Sequence, residues 1–98
     1  MSNSAQDLPS ASGAVAIKDP TGLHARPAVK LTKLAKTFAS EVEIRPDSKD
    51  DWANAKSPNA VMKLRAAHGE LLHVRAQGPD AQASVDALVE LVNNDFDG

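Results

Sequence analysis

The segment Gly22-Leu23-His24-Ala25-Arg26-Pro27-Ala28 places a histidine, an arginine and a proline at the start of a predicted helix. A helix N-terminus has backbone N–H groups without intrahelical acceptors and the positive end of the macrodipole, so it suits a phosphate. The same positive end disfavours a protonated imidazole, which favours a nucleophilic His24 near neutral pH. Arg26 adds a guanidinium whose geometry fits phosphate oxygens. Together these residues predict a side chain that accepts and holds a phosphoryl group.

A plainer interpretation of the same residues is also open, because a short motif has little specificity by itself. In that interpretation His24 only caps the helix and Arg26 is a solvated surface charge. Pro27 is then a helix starter, tolerated in the first turn because its missing N–H would have had no partner there. Proline also restricts the backbone of Arg26 and so defines how the loop enters the helix.

Composition excludes several classes of function. The chain has 98 residues, enough for one small domain, and 42% of them are hydrophobic. No apolar run approaches the roughly 20 residues that span a bilayer, so we expect no membrane insertion. A net charge of −2 argues against a nucleic-acid surface, and the lack of cysteine excludes disulfides and thiolate metal sites. The N-terminus lacks a signal-peptide pattern, so we expect a cytoplasmic protein.

The first 13 residues differ from the rest of the chain. Residues 1–13 are rich in serine, alanine, asparagine and glutamine, and they carry almost no bulky apolar side chain. Such a segment buries too little surface to offset the entropy of ordering it. We therefore predict a disordered tail or linker over residues 1–13 and a folded domain over residues 14–98.

Hydrophobic periodicity predicts seven elements in the order β-α-β-β-α-β-α. The predicted elements are a strand over 14–18, a helix over 25–38, strands over 41–45 and 52–55, a helix from Ser57 to near Gly69, a strand over 71–77 and a helix opened by residues 78–80. The strands alternate, so their sheet is apolar on one face and needs helices on that face only. This pattern indicates an α+β fold, a two-layer open-faced β-sandwich.

Two segments of the chain resemble a known family. Residues 22–28 are similar to the active-site signature of the histidine-containing phosphocarrier (HPr) family of the bacterial phosphoenolpyruvate-dependent phosphotransferase system. The segment Ala55-Lys56-Ser57, followed by Val61-Met62-Lys63-Leu64, resembles the serine region at the start of that family's second helix. The resemblance runs from about residue 15 to residue 92. It implies a four-stranded antiparallel sheet covered on one face by three helices, βαββαβα.

The resemblance implies a function in phosphoryl transfer. Nδ1 of His24 would accept a phosphoryl group from phospho-Enzyme I and pass it to a histidine of an A-type enzyme II domain. Arg26 and the backbone N–H groups of Ala25 and Arg26 would stabilise the phosphoryl oxygens. We expect no cofactor and, since no carboxylates cluster at ligand spacing around His24, no metal. We expect a monomer that acts only with partner proteins and not an enzyme that acts alone on a metabolite.

Ser57 has two interpretations. A serine before Pro58 is typical of a helix N-cap. In HPr relatives under kinase regulation, the matching serine is phosphorylated by a dedicated HPr kinase/phosphorylase. Pro58 and Asn59 stand where the family usually has apolar side chains that belong to the docking surface. The N-cap and the regulatory phosphosite therefore both stay open.

Three roles fit the chain as a whole. The first is a phosphocarrier that stands alone. The second is an HPr-like domain of a multidomain phosphotransferase protein that serves sugar transport, nitrogen-linked regulation or dihydroxyacetone phosphorylation. The third is a regulatory adaptor that carries no phosphate. The presence of His24 together with Arg26 favours the first two.

His68 and His73 have no partner at metal spacing, and Trp52 either covers the core or forms an exposed contact.

Overall fold

Four strands and three helices follow one another in the predicted order. The computed structural model describes residues 9–96. The elements are β1 (Ser10–Ala16), α1 (Ala25–Ala35), β2 (Glu41–Pro46), β3 (Ala53–Asn54), α2 (Pro58–Lys63), β4 (Leu71–Gln77) and α3 (Ala81–Asn93). None of the helices within residues 9–96 has the length and apolar character needed to cross a bilayer.

The strands form one antiparallel sheet in the order β1-β4-β2-β3. Strand β4 pairs with β1 along its whole length and with β2 on its other side, so Val74 lies opposite both Gly13 and Ile44. Side chains alternate along β4 as predicted. Those facing the core are Leu72, Val74 and Ala76, and those facing outward are Leu71, His73 and Arg75. This arrangement confirms the four-stranded open-faced sandwich.

The core lies between the inner face of the sheet and the three helices. Helix α3 packs on β1 and β4, and α1 packs against α2 and α3. The 3.6-residue spacing of apolar side chains brings one stripe of each long helix into this layer. The fully buried side chains include Leu31 of α1, Ile44 of β2, Leu72 of β4 and Leu88 of α3. No helix within residues 9–96 covers the opposite face of the sheet.

Strand β1 begins earlier than the sequence analysis predicts. Residues 10–13, assigned there to a disordered tail, pair with β4 from Gln77 to Val74, so that boundary is wrong. The strand was missed because its side chains are small. A Cβ added at Gly13 would lie only 3.1 Å from Cγ1 of Val85, so small residues allow α3 to approach the strand closely. The rest of the predicted tail, residues 1–8, lies outside the described residues.

Helices α1 and α2 are shorter than predicted. Helix α1 ends at Ala35 because Thr37 N and Phe38 N donate to carbonyls only three residues back, which tightens the chain into turns. Helix α2 ends at Lys63, well before Gly69, because Arg65 takes a left-handed backbone conformation, φ 51°. His68 therefore does not lie at a helix end. Strand β3 comprises two of the four predicted residues.

Trp52 lies on the outer face of the sheet, where two arginines contact it. The guanidinium carbon of Arg75 lies 4.0 Å from the centroid of the indole ring, and that of Arg45 lies 5.2 Å from it. These are cation–π distances. On the same face, Nε2 of His73 lies 2.9 Å from Oδ1 of Asp47. Trp52 therefore packs under two arginines on the open face and does not cover the core.

An aspartate joins the start of β2 to the start of α3. Oδ1 of Asp80 accepts hydrogen bonds from the Ser40 hydroxyl (2.5 Å) and the Ser40 N–H (2.8 Å), and Oδ2 accepts one from Ala39 N–H (2.9 Å). These bonds, the Ser40 hydroxyl first, hold the pKa of Asp80 below its usual range. The clamp connects two segments that are 40 residues apart in the chain.

Thr32 provides a test of core packing. Its side chain in α1 is 2% exposed, and its hydroxyl has no hydrogen-bond partner among the residues that the structure describes. Because an unpaired buried hydroxyl is destabilising and valine has nearly the same shape, we expect Thr32→Val to raise the free energy of unfolding by about 1 kcal/mol. Urea denaturation measures this change. The control Thr32→Ser keeps the hydroxyl and loses a methyl group, so it should be less stable. A valine variant less stable than the wild type would contradict the prediction.

Candidate functional site

His24 lies at the N-terminus of α1 and leaves its ring free of the helix. Its backbone is extended, φ −89° and ψ −166°, and its carbonyl accepts the N–H of Ala28 at 3.0 Å, so it is the N-cap residue. The side chain makes no capping hydrogen bond and is 45% exposed. The imidazole is therefore accessible to a partner and is not used to cap the helix.

The loop before His24 is held on the segment that connects α2 to β4. Gly22 has φ +74°, and a Cβ at this position would collide with the carbonyl oxygen of Ala66. The next residue, Leu23, is buried, and its N–H donates to the same carbonyl at 2.9 Å. Only glycine combines this backbone conformation with this close approach. The position of His24 thus depends on contacts with residues more than 40 positions away in the chain.

Asp19 faces the imidazole of His24. Its Oδ2 lies 3.5 Å from Nε2 of His24, and its Oδ1 accepts hydrogen bonds from the hydroxyl (2.7 Å) and the N–H (2.9 Å) of Thr21. These bonds, the Thr21 hydroxyl first, lower the pKa of Asp19. An ionised carboxylate beside Nε2 favours the tautomer with the proton on that nitrogen. Nδ1 then keeps its lone pair and can act as a nucleophile.

Asp19 begins the segment Asp-Pro-Thr-Gly, whose composition is typical of a turn. The side chain of an aspartate in such a turn usually bonds the backbone two residues later, as Asp19 does with Thr21. That local bond was predictable from the Asp-Pro-Thr-Gly sequence. Its consequence for His24 was not, because it depends on how Gly22 redirects the loop.

Arg26 lies in the first turn of α1, exposed and without an ion pair or hydrogen bond to any residue between 9 and 96. It lines a small depression together with His24, Lys30 and the C-terminal residues Asp95 and Phe96. Nζ of Lys30 donates to the carbonyl of the buried Phe96 at 2.8 Å, which holds the C-terminal segment against α1. Arg26 therefore lines the same depression as His24, and two acidic residues that the sequence analysis did not single out, Asp19 and Asp95, line it as well.

Ser57 is the N-cap of α2. Its hydroxyl accepts the N–H of Ala60 at 3.3 Å, and Pro58 occupies the first helical turn, as the capping interpretation predicts. A second depression beside His24 is lined by residues at the other end of this helix, among them Met62 and Arg65. Within the described part of the chain, Ser57 lines neither depression next to His24. The structure thus groups His24, Ala25 and Arg26 and leaves Ser57 apart from them.

No group of three histidine, aspartate or glutamate side chains in residues 9–96 is arranged to hold a metal ion. The chemistry available at the site is that of an exposed imidazole, a carboxylate, a guanidinium and a helix N-terminus. This set suits the transfer of an anionic group.

The family model described as the PTS HPr component phosphorylation site matches residues 11–94. The chain belongs to the HPr family. Phosphocarrier protein HPr of Cupriavidus necator is 41% identical over 75 residues, which cover 76% of this chain and 82% of that protein. The crystal structure of HPr-C-His from Thermoanaerobacter tengcongensis matches with a TM-score of 0.81 and 34% identity, covering 90% of this chain and 97% of that one. These findings confirm the predicted family and fold and identify a phosphocarrier of the phosphotransferase system.

A longer protein also contains a related segment. DhaM of Providencia stuartii, the phosphoryl donor subunit of a PEP-dependent dihydroxyacetone kinase, is 36% identical over 80 residues. This match covers 82% of the chain but only 16% of DhaM. The chain therefore corresponds to one small part of that HPr-related protein.

Two glycines with similar backbones test how the site is positioned. Gly22 and Gly69 have φ of +74° and +83°, but only a Cβ at Gly22 would meet other atoms. We expect Gly69→Ala to lower the free energy of unfolding by about 1 kcal/mol through backbone strain alone. Gly22→Ala should lower it by about 3 kcal/mol or more because the backbone near Ala66 must also move. Urea denaturation of both variants measures the difference. Equal losses would show that the contact with Ala66 does not matter.

Proposed function

We propose that His24 accepts a phosphoryl group on Nδ1 from phospho-Enzyme I and passes it to a histidine of an A-type enzyme II domain. The observation that carries this proposal is the exposed imidazole whose Nε2 lies 3.5 Å from Asp19, an arrangement that leaves Nδ1 free to attack. Membership of the HPr family supports the same role. We expect this exchange to take place in the cytoplasm.

The proposed transfer conserves charge and protons. The lone pair on Nδ1 attacks phosphorus, and the P–N bond of the donor phosphohistidine breaks with its electron pair returning to the donor ring. A donor ring that carries a proton on its other nitrogen leaves as neutral imidazole. His24 becomes a phosphorylated imidazolium that keeps its Nε2 proton beside the carboxylate of Asp19. Transfer to the acceptor histidine is the same step in reverse.

Arg26 and the first backbone amides of α1 would stabilise the transferring oxygens. Phosphoryl transfer is catalysed mainly by positioning and by charge that faces those oxygens. The N–H groups of Ala25 and Arg26 lie in the first turn of the helix, where an α-helix supplies no acceptor for them. The guanidinium of Arg26 adds a charge that is not neutralised by any other described residue.

A second candidate role follows from the match to DhaM. In that role the chain would act as the HPr-like unit of a phosphoryl donor for dihydroxyacetone, with the same chemistry at His24. Service to sugar transport remains a prediction from the family resemblance. A regulatory adaptor without phosphate is disfavoured, because an unphosphorylated protein has no need of an exposed imidazole oriented by Asp19.

Regulation at Ser57 by an HPr kinase/phosphorylase also stays a prediction. Its hydroxyl serves as the N-cap acceptor for Ala60, which accounts for a serine at this position without phosphorylation. Pro58 and Asn59 distinguish the sequence that follows it from the usual family pattern.

Intact mass spectrometry tests the acceptance step. The chain is incubated with phosphoenolpyruvate, Mg²⁺ and the Enzyme I of Cupriavidus necator, with the HPr of that organism as a positive control. We expect a single phosphoryl adduct that is lost on brief acid treatment, as a P–N bond requires, and that is absent from His24→Gln. An adduct that persists in His24→Gln would place the reaction elsewhere. If the HPr control were phosphorylated and this chain were not, that result would overturn acceptance from this donor.

The role of Arg26 is tested by two substitutions. Arg26→Ala should slow phosphoryl transfer about ten- to a hundredfold, the effect of losing charge-assisted hydrogen bonds to the transferring group. Arg26→Lys keeps the charge but loses the planar fork, so its rate should be intermediate. Because Arg26 is exposed and unpaired, the Tm should hardly change. Rapid-quench kinetics and thermal denaturation give the two readouts. A loss of rate that only follows a loss of stability would favour a structural role.

A further inference from the structure

Arg65 occupies a backbone position that suits glycine better than arginine. It follows the end of α2 with φ 51°, a left-handed conformation in which a Cβ crowds the neighbouring carbonyl. Comparable conformations occur at Gly22 and Gly69, and among the other described residues only Asp95 and Phe96 share a positive φ without being glycine. Strained residues of this kind are concentrated at functional sites. The arginine at this position therefore calls for a reason other than the turn.

Arg65 and His24 line the same depression. This depression lies on the α2 side of His24, and it is also lined by His68 and apolar residues such as Leu23, Met62 and Ala66. His24 is the one described residue that lines both this depression and the one lined by Asp19, Arg26 and Asp95. A protein that docks against His24 to exchange a phosphoryl group would also cover Arg65.

The groove carries one fixed positive charge, that of Arg65. Among the described residues that line it, His24, Arg65 and His68 are the ionisable ones, and none is a carboxylate. Arg65 is exposed and forms no ion pair with any residue in the described range 9–96. The whole chain has a net charge of −2, so this local excess of basic groups is not a general property of its surface. A groove of this kind is complementary to a carboxylate on the docking partner.

We propose that Arg65 selects the phosphoryl donor by pairing with an acidic side chain that the donor presents beside its phosphohistidine. The proposal rests on the function proposed above for His24. Arg65 acts as a specificity-determining residue that strengthens docking, and it does not contact the transferring phosphoryl group.

The main experiment separates docking from stability. Arg65→Gly removes the charge and relieves the backbone, so its Tm should rise. Its KM for phospho-Enzyme I should increase about tenfold, with kcat within about twofold of the wild-type value, because only docking is weakened. Arg65→Asn, which also tolerates a left-handed backbone, should behave in the same way. Arg65→Lys should recover most of the affinity.

Lys63→Ala is the matched control, since Lys63 is an exposed cation two residues away that does not line the groove. We expect its KM to stay within about twofold of the wild-type value. Added salt should raise the wild-type KM more steeply than that of Arg65→Gly, because a surface charge pair is screened. Equal KM values for the wild type and Arg65→Gly would overturn the proposal.

A second arm uses phosphoramidate, a small phosphoryl donor that does not dock as a protein does. The wild type and Arg65→Gly should be phosphorylated by it at equal rates. A slower reaction of Arg65→Gly would mean that Arg65 contacts the phosphoryl group, and that result would overturn the docking role. A wild-type chain that phospho-Enzyme I fails to phosphorylate would overturn the proposed function and, with it, this proposal. Failure of the docking role and failure of the proposed function therefore give different results.

Discussion

The contact between Gly22-Leu23 and the carbonyl of Ala66 is the constraint on which the site depends. This carbonyl accepts the N–H of Leu23 and lies where a Cβ of residue 22 would be. It joins the loop before α1 to the segment between α2 and β4. The same contact sets the direction in which His24 enters the helix, its separation from Asp19 and the groove that it shares with Arg65. One backbone hydrogen bond and one glycine thus organise three side chains from distant parts of the sequence.

The imidazole of His24 lies between two different electrostatic environments. On one side, Asp19 faces Nε2 and favours a single tautomer. On the α2 side, the groove contains only basic ionisable groups. Arg65 at the rim of this groove has no ion-pair partner between residues 9 and 96 and can attract an acidic partner. The proposed nucleophile and the proposed docking residue are therefore influenced by separate side chains.

The core that supports this site lies on one face of the sheet only. The three helices cover the inner face of the sheet, and the opposite face relies on side-chain pairs such as Arg75 over Trp52 and His73 with Asp47. Such pairs cover apolar surface without building a second core. In strand β1, Gly13 and its small neighbours allow α3 to lie close to the sheet. A domain of this size therefore keeps its core in a single layer.

By itself, the sequence determined the order of the elements and the faces that they bury, and it singled out His24 as the candidate phosphoacceptor. It could do so because periodicity and the segment around His24 are local signals, each contained within a few turns of chain. The start of β1, the end of α2 and the participation of Asp19 and Arg65 were decided only by the tertiary structure. Two of these depend on neighbours far away in sequence: Val85 packs close to Gly13, and Ala66 positions the loop that brings Asp19 to the ring. The end of α2 follows from the left-handed backbone of Arg65, which the helical periodicity did not reveal. A sequence pattern reports how a residue relates to its own element, whereas the site is formed by contacts between elements.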